Sequence, residues 1–271
     1  MSNEIVNCES NTNRKGGVRV QKTRHNEIIS VLNERDSASV SELSKLLGVS
    51  EVTVRSDLNS LAQTGLVRRT RGGVARPLSI SERPLEESSK QQTAVKRRIG
   101  EAAAAMVRDG QTVFLDVGST TTEIARHLSP TLRGVTVVTS GLNIALELER
   151  LPNLHIIVTG GTLRRLQHSL VSPYALELLG RIRADLLFLG CNGVHADHGV
   201  TNSNFDEAEV KTRMAQYASQ VVVVADQSKL GAVARAHLLP LSGVHTLITG
   251  RQATPDQLNT LSPCLPDIRA V

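Results

Sequence analysis

Residues 114–128 read FLDVGSTTTEIARHL. Apolar residues run into Gly118, four consecutive hydroxyl side chains follow, and a helix-forming segment comes after them. A strand that ends in a small-residue turn and passes straight into a helix is the repeating unit of an α/β sheet. That unit recurs: TVFLDVG, VTVVTS, LHIIVTGG, ADLLFLG, QVVVVAD and VHTLITG are short apolar runs bounded by glycine or polar residues. Between them lie KRRIGEAAAAMVRD, TTEIARHL, LNIALELERL, ALELLGRIR and DEAEVKTRMAQYA, whose apolar residues recur at spacings of three and four. Continuous β-branched runs separated by helices predict strands buried on both faces. Residues 95–271 are therefore expected to form an open, mostly parallel α/β sheet.

In such sheets ligands lie beyond the carboxyl ends of the strands. Here those ends are Asp116 to Thr121, Thr139-Ser140-Gly141, Thr159-Gly160-Gly161, Gly190-Cys191-Asn192-Gly193 and Asp226 to Lys229. Small, hydroxylic and charged residues at one sheet edge would make a polar cleft. Gly118 permits a tight turn. The N–H groups of the following helix start, with the hydroxyls of Ser119, Thr120 and Thr121, suit an anion. The same residues allow a plainer reading, because Thr120 and Glu123 form a T-x-x-E capping box that needs no ligand. Lys229 is either a second phosphate contact or a surface lysine. Arg164 and Arg165 either reach a sugar phosphate or are solvated. Glu207 and Lys211, four apart, either pair on a helix surface or face the cleft. His127, His168, His195 and His198 have no metal-ligand spacing, so neither metal nor cofactor is expected.

Composition places the chain among globular proteins, with 40% hydrophobic and 21% charged residues. No apolar run approaches the roughly 18 residues of a membrane span. Residues 1–18 are polar, lack a signal core and read as a disordered tail. Cys8, Cys191 and Cys264 form neither a disulfide framework nor a zinc spacing, which fits a reducing cytoplasm. Charge is unevenly placed: residues 1–76 carry 12 Lys/Arg against 8 Asp/Glu, the rest 19 against 18. A basic module on a near-neutral body suggests a polyanion partner. Aromatics at 2% argue against base-stacking surfaces for single strands.

Residues 19–76 read as three short helices and a hairpin, and 77–94 as a linker with at most a turn or two of helix. Ser39 and Glu42 make a capping box, Gly48 suits a helix end, and Ser50 caps the next helix. In that helix Val54, Leu58 and Leu61 form a buried stripe, so Glu51, Thr53, Arg55 and Ser56 are expected outside. Two helices joined by a short glycine turn are the helix-turn-helix signature. The second helix's N-terminal end enters the major groove. Asp57 is expected to buttress an arginine. GLVRRTRGGVARP predicts a two-stranded wing with Arg68, Arg69 and Arg71 on phosphate or in a minor groove. The rival reading of the two helices is a small helical interaction module.

VSEVTVRSDLNSLAQTGLVRRTRGGV resembles the N-terminal signature of the DeoR family of bacterial sugar-metabolism repressors, V-S-x-x-T-[IV]-R-x-D-L followed by a Gly-Gly wing. Ser56 stands where that family most often has a second arginine. LDVGSTTTEIA, VTGGTLR, FLGCNGV, EAEVK and VVVVADQSK resemble the family's effector domain in the same order. Ser172-Pro173 replaces its common Gly-Pro, and Asn192 its frequent Asp. The resemblance implies a winged helix-turn-helix followed by a fold similar to ribose-5-phosphate isomerase A. It implies an oligomer, dimer or tetramer, that releases a double-stranded DNA operator when a small phosphorylated sugar binds. It places Asp116, Gly118, Ser119, Thr120, Thr121, Thr139, Gly160, Glu207, Lys211 and Lys229 at the effector, while the reading of the second helix and wing puts Ser50, Glu51, Thr53, Arg55, Ser56, Arg68, Arg69 and Arg71 at DNA. The alternative is an isomerase-like enzyme using Asp116, Glu207 and Lys229. The basic module argues for the regulator.

Overall fold

The computed structural model describes residues 24, 25, 27–32, 35, 37–63, 67–75 and 84–271. The expected tail, 1–18, and the first part of the expected linker, 77–83, lie outside them. Two compact units divide the chain after Leu78.

In the first unit, residues 27–32 are helical and precede β1 (Ser37–Ser39), α1 (Val40–Leu47), α2 (Glu51–Gln63), β2 (Arg68–Thr70) and β3 (Gly73–Ala75). The capping box forms as expected. The Glu42 N–H donates to Ser39 Oγ at 3.1 Å, and the Glu42 carboxylate accepts from the Ser39 N–H at 2.8 Å. Gly48 ends α1 at φ 64°, and the Thr53 N–H donates to Ser50 Oγ at 3.2 Å. Val54, Leu58 and Leu61 pack with Ile28, Leu32, Val40, Leu43 and Val74. The wing is larger than the sequence suggests: β1 joins the hairpin, giving the order β1-β3-β2. This explains the paired glycines. Gly72 turns the hairpin at φ 83°, and a Cβ on Gly73 would collide with the Ala38 carbonyl of β1.

The second unit begins with α3 (Leu85–Lys90) and α4 (Thr93–Ala104), so the expected linker is helical from Leu85. Leu85 is buried, and its N–H donates to Leu166 O at 2.9 Å. Then follow β4 (Thr112–Leu115), α5 (Ser119–His127), β5 (Thr136–Thr139), α6 (Leu142–Leu148), β6 (His155–Val158), β7 (Thr162–Arg164), β8 (Ser169–Val171), α7 (Tyr174–Leu179), β9 (Ala184–Gly190), β10 (Gly193–His195) and β11 (Gly199–Asn202). The chain ends with α8 (Phe205–Gln216), β12 (Ala218–Val224), β13 (Ala236–Leu239), β14 (Thr246–Thr249), α9 (Pro255–Leu261) and β15 (Ile268–Ala270). Seven strands form one sheet in the order β15-β14-β12-β9-β4-β5-β6, and every pairing is parallel. All six expected strands are in it. β15, the β7-β8 hairpin and the antiparallel β10-β11-β13 sheet were not anticipated.

The pleat sends alternate residues to two cores. Phe114, Val138, Leu187, Val223 and Leu247 meet α7 and α8 through Ala175, Leu179 and Met214. Val113, Leu115, Val137, Phe188, Val222 and Ile248 meet α4, α5 and α6 through Ile99, Ile124 and Ile144. Burial on both faces is why these strands read as unbroken apolar runs. Strand order reverses at β4: the chain first builds outward to β5 and β6, then returns to place β9 on the other edge. A crevice at the carboxyl ends of β4 and β9 is therefore the topological switch point. Among the described residues no helix is long and apolar enough to cross a membrane.

Candidate functional site

At that switch point lies a cavity of about 370 Å³. The loops after three adjacent strands line it: Val117 to Thr121 after β4, Gly190 to Asn192 after β9, and Ala225, Asp226, Ser228 and Lys229 after β12. Gly118 takes φ 152°, ψ 167° as the N-cap of α5, a conformation open chiefly to glycine. Among the described residues no side chain caps this helix, so the plainer reading, a Thr120–Glu123 box, is not what forms. Glu123 instead pairs with Arg126, and the Thr121 and Thr122 hydroxyls donate back to the Gly118 carbonyl at 3.0 and 2.7 Å. The first-turn N–H groups of α5 are thus left for an anion, with the Ser119 and Thr120 side chains on the cavity wall.

The opposite wall comes from α8. Glu207 and Lys211 are both buried and both line the cavity, so they do not form a surface pair. Glu207 accepts from Arg164 and from Ser169 Oγ at 2.6 Å, and its N–H is capped by Asn204 Oδ1 at 3.0 Å. Lys211 donates to Asp116 and to the Gly190 carbonyl at 3.0 Å. Asp116 is fully buried and lies outside the cavity lining. Its Oδ2 also accepts the Gly190 N–H at 3.0 Å. Burial pushes its carboxyl up to about 6, against the pull of Lys211. Cys191, also on the wall, is pushed up to about 12 by burial, which keeps it a thiol.

Of the residues expected at the effector, Gly118, Ser119, Thr120, Thr121, Glu207, Lys211 and Lys229 meet at the cavity. Asp116, Thr139 and Gly160 do not line it. Thr139 is fully buried and its Oγ1 accepts the Gly141 N–H at 3.0 Å, while Gly160 follows β6, two strands beyond β4 and three from β9. Sequence reasoning missed Lys96 of α4 and Ser88, Gln91 and Gln92 around α3, all on the wall. The signal for Lys96 was its register: it stands three and four residues before Ile99 and Gly100, on the buried face of α4. Three lysines, Lys96, Lys211 and Lys229, thus share the lining with two acids, Glu207 and Asp226. No cluster of potential metal ligands occurs among the described residues.

In the first unit, Asp57 buttresses an arginine as expected. Arg24 donates to it at 2.9 and 3.3 Å, and His25 meets it at 3.2 Å. The outer face of α2 differs from the expected one. Its exposed residues are Val52, Arg55, Ser56 and Asn59, at helical spacings of three and four. Glu51 and Thr53 are half-buried; Glu51 accepts from Arg55 at 2.8 Å, and Thr53 Oγ1 bonds Ser50 Oγ at 2.9 Å. Val52 is 74% exposed. It was missed because an isolated valine reads as core, although it stands off the Val54–Leu58–Leu61 stripe. Arg68, Arg69 and Arg71 are exposed on the wing.

Residues 24–79 match the DeoR-like helix-turn-helix domain, and residues 91–251 match the DeoR C terminal sensor domain. The HTH-type transcriptional regulator GlpR of Haloferax volcanii is 37% identical over 83% of this chain and 88% of its own length. The glycerol-3-phosphate regulon repressor of Escherichia coli is 31% identical over 84% and 90%. The ribose 5-phosphate isomerase A of Methanocaldococcus jannaschii superposes with a TM-score of 0.38 at 17% identity, over 51% of this chain and 55% of that one. Matched in both units and along most of its length, the chain belongs to the DeoR family of helix-turn-helix transcriptional regulators.

Proposed function

We propose that this regulator represses a carbohydrate-utilisation operon and leaves its double-stranded operator when a small phosphorylated sugar fills the cavity. The observation that carries the reading is the uncapped start of α5, set among three lysines at the switch point of the sheet. Backbone N–H groups, hydroxyls and ammonium groups converging on one wet crevice are the donors a phosphoryl group takes. Glu207 and the buried amide of Asn202 offer hydroxyl partners on the far wall. At about 370 Å³ the cavity is of the size that holds a small metabolite. A relative named for the glycerol 3-phosphate regulon fits the same ligand chemistry. The geometry gives the isomerase reading little support: Asp116 is sealed beneath the floor, and Glu207 is held by Arg164 and Ser169.

The regulator acts as a homo-oligomer in this reading. Each helix-turn-helix binds its half-site weakly, and joining copies adds avidity. The effector weakens that joint binding only by preferring the arrangement that DNA does not. A coupling of about 1–3 kcal/mol would change DNA affinity roughly 5–150-fold. The test is a thermal-shift screen of phosphorylated sugars beside their unphosphorylated parents, followed by titration of a selected duplex. Stabilisation by the parents alone, or effector binding with no loss of DNA, overturns the reading.

Thr120→Val is nearly isosteric and removes a hydroxyl that makes no hydrogen bond among the described residues. It should leave stability within about 0.5 kcal/mol while raising the effector concentration needed for release. An unchanged dose response would remove Thr120 from the ligand. On α2, Val52 is suited to a thymine methyl. Val52→Ser should relax the preference at one base pair by about 1–3 kcal/mol and leave the salt dependence alone, as a randomised-duplex selection would read.

A further inference from the structure

Lys96 is 6% exposed, yet its Nζ donates to a neutral acceptor, the Ser88 carbonyl, at 2.5 Å. Among the described residues no carboxylate lies within ion-pairing distance of it. Burial lowers its basicity most and Lys229 adds to that, outweighing the attraction of Asp226 and Glu123 from further off. The other buried lysine of the cavity, Lys211, has Asp116. Lys96 is therefore a buried ammonium still short of an anion, in the same cavity as Lys229 and the uncapped start of α5.

Its present partner matters. The Ser88 carbonyl belongs to α3, and Ser88 and Gln91 form part of the cavity wall. Among the described residues α3 is also tied by the Thr93 hydroxyl of α4 on the Ser89 carbonyl at 3.0 Å, by the Leu85 N–H on the Leu166 carbonyl, and by Glu86 on His168 at 2.7 Å. The Glu86–His168 pair joins two largely exposed side chains and is worth little in water. The Lys96 bond is made away from solvent, where a charge-assisted bond counts for more. From α3 the chain runs through residues 76–83 to β3 of the wing.

We propose that Lys96 is a phosphoryl ligand of the cavity, and that it exchanges the Ser88 carbonyl for the phosphoryl group when effector enters, so that occupancy loosens α3. A phosphoryl oxygen is the stronger acceptor for an ammonium, and three such oxygens can serve Lys96, Lys229 and the α5 amides together. Filling the cavity then removes a buried, charge-assisted tie on the segment that leads to the DNA-binding unit. This rests on the cavity taking a phosphorylated ligand.

The experiment uses the full chain with glycerol 3-phosphate, ribose 5-phosphate, glucose 6-phosphate and inorganic phosphate as probes. Thermal shift reads binding, and hydrogen exchange of the 85–92 amides reads α3. In the wild type at least one probe should raise the melting temperature and speed exchange in 85–92. Lys96→Met and Lys96→Gln should bind that probe roughly 10–100-fold more weakly, and should exchange fast in 85–92 with or without it. Two variants are used so that one misfolded protein does not decide the matter. Should both bind like the wild type and keep the probe-dependent exchange, Lys96 is no latch, although the phosphate cavity stands. Should no probe shift the wild type, the cavity reading fails and the latch falls with it.

Discussion

Lys211→Met is expected to lower the unfolding free energy of the effector unit by about 3–5 kcal/mol at pH 8, and by much less at pH 5. The variant leaves Asp116 fully buried with the Gly190 N–H as its remaining polar partner among the described residues. A carboxylate in that position must either stay charged out of water or take up a proton. The pH dependence follows from the direction of the shift. Burial has raised the Asp116 carboxyl from 3.8 to about 6 even with Lys211 beside it. A raised acid favours the folded state at low pH and loses that contribution as pH climbs through its folded value. Without the lysine the carboxyl rises further, so the loss continues to higher pH and the two proteins diverge there. Near pH 5 the wild-type Asp116 is itself largely protonated, and the ammonium has little charge to balance. Adding Asp116→Asn to Lys211→Met removes both charges, and the double variant should recover most of the stability. Urea melts of the three proteins at pH 5 and pH 8 decide it. A cost that is equal at both values would mean that Lys211 matters through packing alone.

That pair also shows where sequence reading reached its limit. Lys211 and Glu207, four apart on a helix, are indistinguishable in sequence from a solvated pair; only the placement of α8 over the ends of β4 and β9 buries them. The strands were legible because burial on both faces leaves an apolar run. β15 was not, since Ile268-Arg269-Ala270 sits at the sheet edge with Arg269 and Ala270 exposed. Of the small antiparallel strands, β13 escaped because its pairing is set by a distant partner, Val200 for Leu239. Thr139 and Gly160 were correctly read as strand ends but do not reach the cavity. Sequence shows where a strand ends and says little about its neighbours, and β5 and β6 lie on the far side of β4 from β9. The helix-turn-helix was more legible because its signals are local: a capping box, a left-handed glycine and one apolar stripe.

On the wing, alanine at both Arg68 and Arg71 is expected to weaken DNA binding roughly 25-fold per module near physiological salt, and to reduce the slope of log K against log salt by about two. Each phosphate contact releases close to one counterion, worth roughly fivefold at that ionic strength. Arg69→Ala should do distinctly less, because the pleat divides the three arginines. Arg69 pairs with Val74, which is wholly buried, so the exposed Arg69 side chain leaves from the same face of the hairpin as Val74. Arg68 and Thr70 point the other way, and Arg71 stands in the turn that Gly72 closes. Sequence presents RRTR as one basic cluster; the register sets Arg68 and Arg69 on opposite faces of the hairpin, both exposed, and puts Arg71 at its turn. If the outward pair holds phosphate, operator and random duplex should lose affinity alike. A loss confined to operator would place these arginines in a groove, reading its width or its bases. Equal losses from Arg68→Ala and Arg69→Ala would mean that the hairpin meets DNA along its edge rather than its outer face, and the assignment from strand register would be withdrawn.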